Sequence, residues 1–309
     1  MPATPHGHWW TITSDVRGRV RAPKLDDQAW SLLIDDPEGG EGPGGPVTLA
    51  GLRGGPRSGD LYLLVHGLGG DAERPYMREA AAAVRARGHA SLRISMRGAG
   101  RSSADFYHAG LASDLERVLG DPSLADHARV FVLGFSLGGH VSIQLALRAR
   151  PDPRVAAVVA ICAPLDLART VELIDHPRAW IYRRHVLDGL SKIHVKVHGH
   201  SPRFRSIRQW DMATVVPRFG FDSVEHYWRS QTAGPRLREA SVPLLVVAAT
   251  GDPMVPAETL RPYLTRAGAG VDVRWARRGG HVGFPANLDL GLPGELGLFN
   301  QVLTWCAAI

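Results

Sequence analysis

From Leu61 onward, short apolar runs of strand length alternate with longer stretches of helical character. Few architectures accommodate that pattern. Strands that are apolar along their whole length must be covered on both faces, and a helix between successive strands supplies both the cover and the crossover to a parallel neighbour. Strands are expected at 61–65, 89–95, 129–133, 155–161, 244–249 and 271–276, and helices at 76–87, 110–119, 137–148, 257–266 and 294–305. The expected fold class is therefore α/β, a mostly parallel central sheet with helices on both faces. Two Gly/Pro-rich stretches, 38–46 and 54–59, read as surface hairpin connections near the start of the sheet.

The alternation is interrupted between Ile161 and Leu244. Residues 165–240 carry mixed helical signals without strand alternation. They hold thirteen Lys and Arg against eight Asp and Glu, which is five of the chain's six net positive charges. This segment reads as a helical lid inserted into a core made of residues 1–164 and 241–309. At 44% apolar and 21% charged residues, the chain is not a disordered one. Cys162 and Cys306 are too few for a disulfide scaffold and read as inert thiols. The longest apolar run, 155–163, is far below the roughly 18–20 residues that span a bilayer, and residues 1–10 lack the pattern of a signal peptide, so a cytoplasmic location is expected. The basic balance is spread over isolated arginines with no block of five like charges, which argues against a nucleic-acid partner.

Gly134-Phe135-Ser136-Leu137-Gly138 is a G-x-S-x-G motif placed after an expected strand and before an expected helix. A sharp turn there exposes the serine hydroxyl at the carboxyl edge of the sheet, and the flanking glycines avoid clashes in the strained backbone. The helix behind it points its first N–H groups at developing negative charge. A serine needs a base, and the base needs an orienting acid. Asp252 stands in a Gly/Pro turn at the end of strand 244–249, and His281 stands in the Gly-rich loop beyond strand 271–276. Each alone reads as an ordinary turn or loop residue. In this order, after these strands, they form a base and acid for Ser136. Asp166 is a rival acid but reads better as the cap of the first lid helix. The oxyanion donors expected are the backbone N–H groups of Leu68, in His66-Gly67-Leu68-Gly69-Gly70, and of Leu137.

Three patterns compete with this reading. Residues 67–72 fit a relaxed dinucleotide fingerprint, with Arg93, Arg97 and Arg101 in place to meet a 2′-phosphate, but that leaves Ser136, Asp252 and His281 unused. His66 to Asp71 spells an acyltransferase-like H-x-x-x-x-D, read as an accident of the loop. His194, His198 and His200 have metal-ligand spacing but no acidic or cysteine neighbour, so they read as a solvated lid segment. His6, His8, Trp9 and Trp10 read as packing and surface residues.

Together the motifs resemble the YheT-like branch of the α/β-hydrolase superfamily, which includes related mammalian lipid-cleaving hydrolases. The matching residues are His66-Gly-Leu-Gly-Gly70, Arg97-Gly-Ala-Gly-Arg-Ser102, Tyr107-His-Ala-Gly110 with Asp114 and Leu115, and Gly134-Phe-Ser-Leu-Gly-Gly139. Further matches are Gly220-Phe-Asp-Ser223 to Tyr227-Trp-Arg-Ser230, Pro243-Leu-Leu245, Asp252-Pro253, Gly279-Gly-His-Val-Gly-Phe284 and the N-terminal Gly7-His-Trp-Trp-Thr11. Two positions depart from the branch: His140 stands where Asn is frequent, and Gly251 where a second Asp is common. The resemblance implies the α/β-hydrolase fold with Ser136 as nucleophile, Asp252 as acid and His281 as base. It also implies hydrolysis of carboxylic esters without cofactor or metal. The substrate expected is a small-molecule ester, short- to medium-chain or lipid-like, with the lid arginines favouring an anionic one. Thioester hydrolysis, acyl transfer and ligand binding without catalysis stay open on the same scaffold. Oligomeric state is not legible.

Overall fold

The structure is a computed structural model that describes residues 6–13, 22–35, 46–201 and 203–309. Among the described residues eight strands make one sheet: β1 (Gln28–Ile34), β2 (Val47–Gly54), β3 (Gly59–Val65), β4 (Ala90–Ser95), β5 (His127–Phe135), β6 (Val155–Ile161), β7 (Leu244–Ala249) and β8 (Val271–Ala276). Their spatial order is β1-β2-β4-β3-β5-β6-β7-β8. From β4 to β8 every neighbouring pair is parallel, whereas β1 and β2 add an antiparallel edge. All six expected strands are present within two residues of their expected limits.

β1 and β2 were not expected. They bury alternate residues, Trp30 and Ile34 on one and Val47 and Leu49 on the other, and so never form the continuous apolar run that marks a strand covered on both faces. The stretch 54–59 is not a hairpin, because β2 pairs with β4 and the chain passes over that strand to reach β3. Of the stretch 38–46, all but Pro46 lies outside the described residues.

Successive side chains of a strand point to opposite faces, and β3 shows the result: Leu61, Leu63 and Val65 join one buried cluster and Tyr62 and Leu64 the other. Helices α2 (Pro75–Ala86) and α11 (Leu298–Ala307) cover the second face with Met77, Val84, Leu298 and Val302. Helices α3 (Ala112–Leu119), α4 (Leu137–Ala146) and α10 (Ala257–Leu264) cover the first with Leu115, Val141 and Leu260. An N-terminal helical segment, residues 6–13, precedes them in sequence and is here α1.

Between β6 and β7 the chain forms α5 (Leu167–Asp175), α6 (Trp180–His198), α7 (Ile207–Ala213), α8 (Val215–Phe219) and α9 (Val224–Gln231). A buried charge network ties this insertion to the sheet. Arg218 of α8 donates to both oxygens of Asp105 at 2.7 and 3.1 Å, Arg97 meets Asp105 at 3.3 Å, and Arg97 grips Asp114 of α3 with two bonds of 2.8 and 2.6 Å. All four residues are buried, and their charges balance. No helix among the described residues is long and apolar enough to cross a membrane.

Candidate active site

Strands β3, β5, β6, β7 and β8 run in the same direction, so the loops after them gather at one edge of the sheet. Ser136 follows β5 with φ 53° and ψ −122°. Only two other described residues besides glycine have positive φ, Cys162 after β6 and Val282 after β8. Such backbone costs on the order of 1–3 kcal/mol per residue and persists only where its surroundings enforce it; here all three positions meet at one place. The glycines of the motif explain how the turn closes. A Cβ on Gly134 would sit 2.3 Å from the Gly138 carbonyl oxygen, and one on Gly138 would sit 2.3 Å from that of His66.

Ser136, His281 and Asp252 form one continuous hydrogen-bonded chain. His281 Nε2 lies 2.8 Å from Ser136 Oγ, and His281 Nδ1 lies 2.9 Å from Asp252 Oδ2. The other carboxylate oxygen of Asp252 accepts the N–H groups of Met254 and Val255 at 2.8 and 2.9 Å. An ionised carboxylate only accepts, so Nδ1 carries the imidazole proton and Nε2 is left to accept from the serine. Asp252 and His281 are 2% and 6% exposed. Asp166 is elsewhere: it accepts from the Arg169 N–H at the start of α5 and from the Tyr263 hydroxyl.

Leu68 and Leu137 line the same cavity as Ser136 and His281. The N–H of Leu137 is the first of α4 and has no acceptor within its own helix. The loop carrying Leu68 passes directly over the serine, since a Cβ on Gly67 would lie 2.9 Å from Ser136 Cβ. Two phenols hold it there. Tyr76 accepts from the Gly67 N–H at 3.1 Å and Tyr107 from the Gly69 N–H at 2.7 Å. His66 is buried and neutral, with burial lowering its pKa to about 4, and its Nε2 accepts from the Met96 N–H. That loop is therefore packed against the serine turn, with His66 committed to the Met96 N–H. Arg93 and Arg97 are likewise committed to carboxylates, Asp27 and Asp114 respectively.

Two supports were invisible as such in the sequence. The first is α1. Thr11 Oγ1 accepts from the backbone N–H of His281 at 2.8 Å and donates to the Gly7 carbonyl at 2.8 Å. Gly7 fits so closely over the Asp252 turn that a Cβ there would overlap the Gly251 carbonyl oxygen, and a Cβ on Gly280 would sit 2.2 Å from the Gly7 oxygen. The motif Gly7-His-Trp-Trp-Thr11 was the available signal, without a role attached. The second is Cys162, whose Sγ accepts from the Val282 N–H at 3.5 Å. Burial pushes the pKa of this thiol well up, with Asp252 adding to the effect, which favours the protonated form. Among the described residues, Cys162, Asp252 and His281 are the one trio with metal-ligand atoms within 4.8 Å of each other, and their imidazole and carboxylate are already bonded to one another. His194, His198 and His200 cluster around Phe106, Phe204 and Trp210, with His194 Nδ1 2.8 Å from the His200 carbonyl oxygen.

The cavity above Ser136 has a volume of about 280 Å³. Its walls are mainly apolar: Leu68, Leu137, Met254 and Val255 from the core, and Val171, Ile174, Val186 and Ile207 from the insertion.

A profile of the alpha/beta hydrolase family matches residues 62–289, and its span includes the serine turn, Asp252 and the His281 loop. The chain belongs to the alpha/beta-hydrolase family. It is 28% identical over 181 residues to a Synechocystis protein named "Putative esterase slr0264", a match spanning 50% of this chain and 49% of that one. It is 25% identical over 243 residues to the Escherichia coli protein named "Putative esterase YheT", covering 72% of this chain and 69% of the relative. These relatives agree with the YheT-like resemblance read from the motifs. The esterase Pf2001 of Pyrococcus furiosus superposes with a TM-score of 0.54 over 82% of this chain and 84% of its own, at 17% identity, which shows a common fold.

Proposed function

We propose that this alpha/beta hydrolase cleaves carboxylic esters through an acyl-enzyme on Ser136. The observation that carries the reading is the unbroken chain from Asp252 through His281 to Ser136 at 2.9 and 2.8 Å, opening on an apolar cavity. His281 Nε2 takes the hydroxyl proton as Ser136 Oγ bonds to the ester carbonyl carbon. The carbonyl oxygen takes up negative charge and is met by the N–H groups of Leu68 and Leu137, where the first turn of α4 adds its dipole. Collapse breaks the bond to the alcohol, which leaves with the proton from His281. Water then attacks the acyl-enzyme, again losing its proton to Nε2, and the acid is released as Ser136 regains its own. Asp252 holds the tautomer and offsets the charge on the imidazolium.

The insertion 165–240 acts as the lid, because it supplies much of the cavity wall. An apolar cavity of this size favours an acyl chain of short to medium length, lipid esters included. The test is hydrolysis of p-nitrophenyl esters of increasing chain length by wild type and Ser136→Ala, with fluorophosphonate labelling of both. The reading requires turnover and labelling by wild type alone. Full turnover in Ser136→Ala would end it.

A further inference from the structure

Two apolar side chains that line the cavity also face water. Ile12 of α1 and Ile181 of α6 line the cavity yet are 45% and 47% exposed, and Trp9 and Trp180, three and one residues before them in the chain, are 56% and 54% exposed. The two segments are joined at this point, since His8 stacks on Tyr182 with its Nδ1 2.5 Å from the tyrosine hydroxyl. One exposed apolar side chain requires no explanation, but Ile12 and Ile181 meet at one cavity from two distant parts of the chain, each within three residues of an exposed tryptophan.

Charge lies alongside. Trp180, Arg183, Arg184, Leu187 and Asp188 recur at helical spacing on α6 and face Arg203 and Arg205 across a groove. Four guanidinium groups there meet one carboxylate, Asp188, which stands 3.8 Å from Arg184. Trp180 lines the groove and Ile181 the cavity, so the basic groove and the apolar cavity share the first turn of α6.

We infer that this face docks on an anionic lipid bilayer, with Trp9 and Trp180 among the headgroups, the arginines on lipid phosphates and the cavity mouth turned to the membrane. Indoles prefer the boundary between water and acyl chains, and clustered arginines are drawn to an anionic leaflet. A nucleic acid would match the charge but not the two exposed isoleucines that line an apolar cavity. What the docked face delivers, a lipid ester, rests on the proposed esterase reading; docking itself is measured separately.

The experiment uses the whole chain carrying Ser136→Ala, sedimented with vesicles of mixed phosphatidylglycerol and phosphatidylcholine or of phosphatidylcholine alone, at physiological and at high salt. Binding to the mixed vesicles is expected, with weakening by salt and little binding to phosphatidylcholine alone. Arg184→Gln, Arg203→Gln and Arg205→Gln together should lower partitioning by about fivefold per charge. Trp9→Ser with Trp180→Ser should lower it further, while the same substitutions in the Ser136 protein leave circular dichroism and turnover of a soluble ester unchanged. Absence of sedimentation with anionic vesicles overturns the inference, as does undiminished sedimentation of the arginine variant. Binding of an oligonucleotide without binding of vesicles also overturns it. Vesicle binding by a wild type that turns over no ester would support docking and remove the esterase reading alone.

Discussion

Replacing Thr11 by valine deletes one oxygen from the support of His281 and keeps the shape of the side chain. In the native structure that oxygen accepts the His281 N–H at 2.8 Å, and His281 is 6% exposed, so water has little access to take over. A buried donor left without a partner costs about 1–3 kcal/mol. At about 2–4 °C per kcal/mol for domains of roughly 150–250 residues, that is a fall in Tm of a few degrees here. The effect on turnover should be larger, because the residue losing its backbone anchor is the proposed base, and its Nε2 has to remain at its 2.8 Å contact with Ser136. A misplacement of about 1 Å costs on the order of 100-fold. We expect kcat/KM on a soluble p-nitrophenyl ester to fall about 10- to 100-fold, mainly in kcat. Thr11→Ser keeps the acceptor and should stay near wild type in both measurements. Steady-state kinetics and thermal unfolding of the three proteins decide it. A lower Tm with kcat intact would make α1 a structural brace only. No change in either quantity would refute the argument from the hydrogen bond.

The other predictions use the same contacts. Asp252→Asn should lower kcat by roughly 10⁴, because an amide NH₂ facing Nδ1 imposes the wrong tautomer; Asp166→Ala should leave kcat unchanged and cost about 1 kcal/mol as a lost helix cap. Arg218→Met leaves the buried Asp105 and Asp114 with Arg97 alone and should destabilise by about 3–5 kcal/mol in denaturant unfolding. Asp211 of α7 is buried against Trp228, and burial raises its pKa to about 7. Its folded pKa exceeds the unfolded value of about 3.9, so the stability it contributes is present at low pH and is lost as pH rises through about 7. Asp211→Asn should therefore gain Tm over wild type at pH 8 and lose that advantage near pH 4. His66 and His108 act in the opposite sense: burial lowers their pKa values to about 4 and about 3, so stability should decline as pH falls below about 6.5. A pH–Tm profile of wild type and Asp211→Asn tests both directions.

The parts of this molecule that could be read from sequence are those whose constraints are local. The parallel strands show as continuous apolar runs because both of their faces are covered, whereas β1 and β2 bury one side chain in two and were missed. Ser136 was legible because its turn demands glycine at Gly134 and Gly138, two residues away on either side. Thr11 shows the opposite case. Its partner is 270 residues distant, and a single accepted hydrogen bond asks only for a hydroxyl, which a threonine in any exposed helix also provides. Cys162 is similar: as a lone cysteine it reads as an inert thiol, and its chemistry remains that of a buried thiol. Its position is what matters, with φ 52° after β6 and Sγ facing the Val282 N–H, the neighbour of His281. The residues proposed to carry the chemistry are thus announced by the backbone around them, while the role of those that fix the base in place shows only in the fold. A search confined to motifs will find Ser136, Asp252 and His281 and, though it also matches Gly7 to Thr11, will give no reason for the helix that anchors the His281 backbone.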